Sequence, residues 1–234
     1  MSNISFVWLE ITSRCQLECR HCYADSGPRG THGTMTVDDW RRVMDQSIAL
    51  GVEMVQFIGG EPTLHPDLPT LVDHALAAGV RVEVFTNLVH VTSAMWDVFA
   101  RPGVRLACSY YSDRLAEHDA VTGRSGSHAR TRANIVEALD RSIPLRVGVV
   151  DLGDGQRAEQ AVAELAALGV AEPGLDRLRQ VGRGVRNQRA DAQQLCGRCA
   201  GDVLAVARNG QGRSDCWHRR CRSRRRRVPI AGTR

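Results

Sequence analysis

Short apolar runs alternate with amphipathic stretches along most of this chain. Residues 5–11, 53–58, 81–86, 104–110, 145–150 and 175–181 are each brief and rich in β-branched or other apolar residues, the composition of buried parallel strands. The stretches between them carry apolar positions at helical spacing. Thr36 opens the first of these, with Asp39 three residues on, a capping-box-like start. Val43, Met44, Ile48 and Leu50 supply its apolar face, and Gly51 ends it. Residues 68–78, 92–99, 129–139 and 158–168 repeat the pattern. This alternation predicts an α/β fold whose parallel sheet is either a barrel, a partial barrel or a doubly wound sheet. An eight-unit barrel takes about 250 residues, more than the body of this chain supplies.

Composition changes the picture in one place. All 31 basic residues are arginine, a bias expected of a GC-rich genome, and the net charge is +5. Residues 213–234 hold nine arginines against one aspartate, a local +8, so the other 212 residues carry −3. The body is mildly acidic and the basicity lies in the tail. Three segments follow: a body over 1–182, a polar linker and apolar hairpin over 183–212, and an Arg-rich tail over 213–234, expected to be disordered because it has almost no periodic apolar residues. Residues 25–34 read as a Gly-rich connector without phosphate-loop spacing.

Three cysteines, Cys15, Cys19 and Cys22, follow directly on the first apolar run in the spacing C-x-x-x-C-x-x-C. Three thiolates held together can ligate three irons of a [4Fe–4S] cube and leave the fourth open. A zinc site is the alternative. It would take a fourth ligand from His21 or from the later pair Cys196 and Cys199. A disulfide framework fits poorly, because no signal-peptide pattern opens the chain. No apolar run is long enough to span a bilayer. A reducing cytoplasmic setting is expected, where thiolates bind metal rather than pair.

At this motif the chain closely resembles the radical S-adenosylmethionine (SAM) enzymes, whose signature is this spacing just after the first barrel strand. The resemblance covers roughly residues 5–210 and implies a partial (β/α)6 barrel. Its second motif is Gly59-Gly60-Glu61-Pro62 at the end of the second strand, where glycines admit close backbone approach. The family binds the SAM amino group there, which implies that role for Gly59, Gly60 and Glu61, with Pro62 shaping the turn. Thr86 and Asn87 end the third strand, where relatives often contact the SAM ribose or carboxylate. The fourth strand ends in Ser109-Tyr110-Tyr111. Many relatives carry Ser-x-Asp there, so Ser109 matches and Tyr111 replaces the acid. Cys108 reads as a small buried hydrophobe, and His21 as a group packed on the cluster.

Near the C-terminus, Cys196, Cys199, the apolar run 203–207 and Cys216 resemble the start of the SPASM extension, which holds auxiliary iron–sulfur clusters in many peptide-modifying relatives. Five residues separate Gly210 from Cys216 where the extension usually has four, and apart from Cys221 its later cysteines are missing. The extension is therefore short and incomplete. A break in the reading frame near 208–213 accounts for the arginine tail better than a nucleic-acid-binding role, for the tail lacks aromatic interleaving.

The resemblance implies a [4Fe–4S] cluster that cleaves SAM to a 5′-deoxyadenosyl radical for hydrogen abstraction. It implies a peptide or small-molecule substrate, with a ribosomally made peptide as the analogy from this layout. It also implies an electron donor such as a ferredoxin or flavodoxin, and leaves open an auxiliary iron–sulfur cluster. Two competing readings are a zinc- or cluster-binding regulator with a nucleic-acid-binding tail, and a decayed enzyme that keeps only its SAM site.

Overall fold

Each strand of the sheet splits its residues between two faces, and the two faces meet different partners. In the computed structural model, which describes residues 4–171, 173–185, 203–210 and 212–214, the strands are β1 (Phe6–Thr12), β2 (Met54–Gly59), β3 (Arg81–Phe85), β4 (Val104–Tyr110), β5 (Leu145–Asp151), β6 (Gly174–Arg177), β7 (Val203–Ala207) and β8 (Gly212–Ser214). Val7, Leu9, Val55, Phe57, Val82, Val84, Leu106 and Val147 turn to one side and join the main core. Their sequence neighbours Trp8, Gln56, Phe85 and Gly148 line a cavity instead, as does Ser109 beside the core residue Cys108, as the period-2 alternation of strands dictates.

The helices α1 (Val37–Ala49), α2 (Leu68–Ala77), α3 (Ser93–Phe99), α4 (Leu115–Thr122), α5 (Ser127–Asp140) and α6 (Ala158–Ala167) separate the strands. Thr36 and Asp39 form the expected capping box on α1: the hydroxyl accepts from the Asp39 N–H and the carboxylate from the Thr36 N–H. Loss of such a cap costs about 1 kcal/mol. Trp40 on α1 is fully buried in the core with Met44, and truncation of such an anchor costs about 3–5 kcal/mol. The expected helices are all present. Helix α4 is an addition to these.

The strand order is β6-β5-β4-β3-β2-β1-β7-β8. The first six strands run consecutively with no reversal, whereas a doubly wound sheet reverses at a switch point. The sheet is therefore the partial barrel. All pairs are parallel except β7 with β8. Residues 203–207 lie parallel to β1, with Phe6 opposite Val203 and Glu10 opposite Ala207. The apolar hairpin thus extends the barrel sheet itself, and its second strand reaches Ser214, the second residue of the expected tail. Cys196, Cys199, Cys216 and most of the arginine tail lie outside the described residues. No helix among the described residues is long and apolar enough to cross a membrane.

Candidate active site at the C-terminal edge of the sheet

The chain leaves β1 through a register irregularity between Glu10 and Thr12 and folds across the C-terminal edge of the sheet, the edge where sites of parallel α/β folds sit. Cys15, Cys19 and Cys22 follow there as free thiols, all on the wall of one cavity of about 650 Å³. The Leu17 N–H donates to Cys15 Sγ at 3.4 Å and the Ser26 N–H to Cys22 Sγ at 3.4 Å. The Tyr111 side chain hydrogen-bonds Cys19. Burial pushes the Cys15 and Cys19 thiols up to about 12, with the Glu61 charge adding at Cys15 and Cys22 at Cys19. Such thiols stay protonated until a cation takes the protons' place.

The loop over residues 25–34 does more than connect. Cys15 N donates to Gly27 O, Gly27 N to Ser13 O and Ser13 N to Thr31 O, so it braces the cysteine loop from outside. Gly59 and Gly60 brace it from inside. Gly59 has φ +132°, and a Cβ there would stand 2.1 Å from Thr12 O. The Gly60 N–H donates to Thr12 O at 2.8 Å and the Glu61 N–H to Arg14 O at 2.9 Å. The close approach these glycines permit is therefore by the chain's own cysteine loop. Both also line the cavity.

Glu61 and Pro62 stand behind the wall rather than on it. The Glu61 side chain is fully buried. Its Oε1 accepts from Thr63 N, Thr63 Oγ1 and Thr86 Oγ1 at 3.1, 2.8 and 2.8 Å, and Oε2 from Asn87 N at 2.8 Å. Burial raises its carboxyl above the ordinary range despite these donors. Glu61 thus ties the end of β2 to the end of β3. Pro62 is buried and opens a single 3-10 turn, Pro62–Leu64.

Thr86, Asn87 and Ser109 are on the wall. The Asn87 carboxamide is engaged by the cysteine loop: its Oδ1 accepts from Gln16 Nε2 at 3.0 Å, and its Nδ2 lies 3.6 Å from Cys15 Sγ. Tyr111, in the place of an acid, packs its ring 4.9 Å from that of His21 and 5.1 Å from that of His118. His118 is buried, and burial lowers its pKa to about 4. Cys108 faces the helices in the main core, as a small hydrophobe does.

Two groups of residues in and beside this cavity escaped the sequence reading. Below the thiols, Glu83 on β3 is fully buried and pairs with Arg146 at 2.7 Å and Arg105 at 2.7 Å. Arg146 lies over the Phe85 ring, so the barrel interior has an aromatic and cationic lining with Trp8. Above them, a strap over 181–185 crosses the cysteine loop. The Arg183 N–H donates to Cys22 O at 3.0 Å, its Nε to Cys19 O at 2.9 Å and its Nη2 to Ser26 O at 2.6 Å. Gly182, at φ +56°, leaves no room for a Cβ against Cys22 O, 2.3 Å away. Alternation of inward strand positions could have found the first group; no local pattern marks the second.

Residues 9–168, more than half of the chain, match the Radical SAM superfamily. The chain belongs to that superfamily. Among curated radical SAM relatives, the PqqA peptide cyclase of Ruegeria pomeroyi is 33% identical over 168 residues, covering 68% of this chain and 44% of the relative. That of Streptomyces rochei is 30% identical over 187 residues, covering 78% of this chain and 50% of the relative. The chain thus spans about half the length of these curated relatives. The structure of Streptococcus suis SuiB bound to its precursor peptide SuiA superposes with a TM-score of 0.73 at 13% identity, over 91% of this chain and 59% of that one. At that identity the likeness carries the fold alone.

A [4Fe–4S] cluster and SAM are the cofactors of radical SAM enzymes. The donors present fit them. Three free thiols share one wall, two of the sulfurs already receive backbone N–H groups, and such N–H···S bonds are among the levers that tune a cluster.

Proposed function

We propose that this chain is a radical SAM enzyme that modifies a ribosomally made peptide. The observation that carries the reading is the gathering of Cys15, Cys19 and Cys22 with Gly59, Gly60, Asn87 and Ser109 on one cavity at the C-terminal edge of a parallel sheet. In this reading Cys15, Cys19 and Cys22 hold the [4Fe–4S] cluster, and the wall formed by Gly59, Gly60, Thr86, Asn87 and Ser109 receives SAM. When bound, the two cofactors supply a 5′-deoxyadenosyl radical for hydrogen abstraction.

The chain's own residues position and shield. Glu61 and Pro62 act from behind by fixing the turn, a narrower role than direct contact. Asn87 holds Gln16 and approaches the Cys15 sulfur. Trp8, Ile58 and Phe85 give the cavity wall an apolar portion beside Arg146, which helps to keep water from a reactive species. A peptide substrate is the proposal that the PqqA peptide cyclase relatives support, and the SuiB structure with its precursor peptide is in keeping with it. A ferredoxin or flavodoxin is the electron donor of this reading, the cytoplasm its compartment, and nucleic acid no part of it. Cys196, Cys199 and Cys216 remain candidate ligands of an auxiliary cluster.

Anaerobic reconstitution with iron and sulfide tests the proposal. The expected result is a brown protein with about four irons per chain, the content of one cubane, that converts SAM to methionine and 5′-deoxyadenosine when reduced. A colourless protein with tightly bound zinc and no SAM cleavage would overturn it.

A further inference from the structure

The strap over 181–185 touches the cysteine loop through Arg183. We infer that Arg183 is a positioning residue that fixes the cluster loop and raises the reduction potential of the cluster, an inference that rests on Cys15, Cys19 and Cys22 being its ligands. Two of the three carbonyls that Arg183 bonds belong to ligand residues, Cys19 and Cys22. The third belongs to Ser26, whose N–H donates to Cys22 Sγ. One side chain and its own N–H therefore hold both ends of the C-x-x-C half of the motif. The planar guanidinium suits this task, since its rigid fork satisfies several acceptors at once.

Arg183 also brings a fixed positive charge to a cavity wall that three thiolates would share. Its carboxylate partner, Asp25, is 2.8 Å away with a side chain 73% exposed. Water screens that partner more than it screens Arg183, which is 30% exposed. Arg183 therefore keeps a positive contribution at the loop. Uptake of one electron adds negative charge to the cluster, so a nearby cation favours the reduced form. The low-potential donor then has less work to do.

The test compares full-length wild type, Arg183→Met, Arg183→Lys and Asp25→Asn after identical anaerobic reconstitution. Iron per chain and a potentiometric titration of the reduced cluster's electron paramagnetic resonance signal are measured on each. At the wild-type midpoint, Arg183→Met should lower the reduced-to-oxidised ratio about ten- to twentyfold, the order given by one charge at roughly 10 Å and an effective dielectric near 20. A tenfold change is about 59 mV for one electron. Asp25→Asn should move the potential the opposite way, by unmasking Arg183. Arg183→Lys should keep the potential near wild type but lose iron faster to a chelator, because an ammonium cannot replace the fork. Wild-type potentials in both charge variants at full iron content would overturn the inference. If Arg183→Met fails to fold or to hold iron, Arg183→Gln decides instead, since it keeps hydrogen-bond donors for the loop carbonyls but removes the charge. A wild-type chain that takes up no cluster overturns the ligand assignment itself, before any variant is compared.

Discussion

The Cβ that Gly60 lacks would stand 2.3 Å from the carbonyl oxygen of Arg14. The glycine therefore makes room for the cysteine loop, and a side chain at 60 must push Ser13 and Arg14 away. Gly60→Val is expected to lose most of its iron along with SAM binding. Iron content and SAM affinity measured on one sample check this. A variant with full iron and weakened SAM affinity would return the glycine to the simpler role of admitting the ligand.

Changing Cys15, Cys19 and Cys22 together to Ala removes every thiol that the described residues place on the wall. The expected outcome is complete loss of reductive SAM cleavage, read as 5′-deoxyadenosine formed under dithionite. Residual cleavage at wild-type rate would mean that other ligands hold the cluster.

Glu61→Gln keeps the shape but turns one of the acceptor oxygens into a donor. Glu61 accepts from two N–H groups and two hydroxyls, so at least one buried donor loses its partner. The cost should be about 1–3 kcal/mol, read from chemical denaturation. A fully stable variant with unchanged SAM affinity would show that the tie between β2 and β3 is dispensable.

Glu83 gives a pH dependence with a definite sign. Burial pushes its carboxyl up, but the hydrogen bonds and charge of Arg146, with the charge of Arg105, outweigh it and leave the pKa below the ordinary 4.5. A carboxyl depressed in the folded state stabilises the fold above its unfolded pKa, and that stability is lost as pH falls through the folded value. Glu83→Gln should cost about 3 kcal/mol at pH 7, the lower end for a broken buried pair, because both arginines are partly exposed. The gap between wild type and variant should close below pH 4.5. Thermal melts across the acid range measure it, and a gap independent of pH would refute the ionic account.

Truncation after Ser214 keeps the β7–β8 pairing, in which Arg213 lies opposite Ala205. Iron per chain is expected to match the full-length protein after identical reconstitution. A fall of about four irons would instead assign Cys216 and Cys221 to an auxiliary cluster.

The strands were legible because each is a short apolar run, and the long helices because their apolar positions recur at helical spacing. Helix α4 was not, since its buried face is His118, Val121 and Thr122, two polar residues of three, while Leu115 is exposed. The cysteines and the two glycines could be read as a pair of motifs. Their mutual contact could not, because the sequence does not say whether a glycine makes room for a ligand or for the chain itself. The Arg183 strap was taken as the start of a linker. Its partners lie about 160 positions earlier in the chain, and neither charge nor periodicity announces such a pairing.

The pairing of β7 with β1 has a consequence for how the molecule assembles. Phe6 finds its strand partner Met54 early, but its other neighbour, Val203, arrives nearly 200 residues later. During synthesis from the N-terminus, one flank of β1 is a bare parallel edge for almost the whole of translation. Contacts of such sequence separation form slowly, and a strand left open this long invites pairing with another nascent chain. Loss of residues 203–207 would therefore show first as poor yield of soluble protein in the cell.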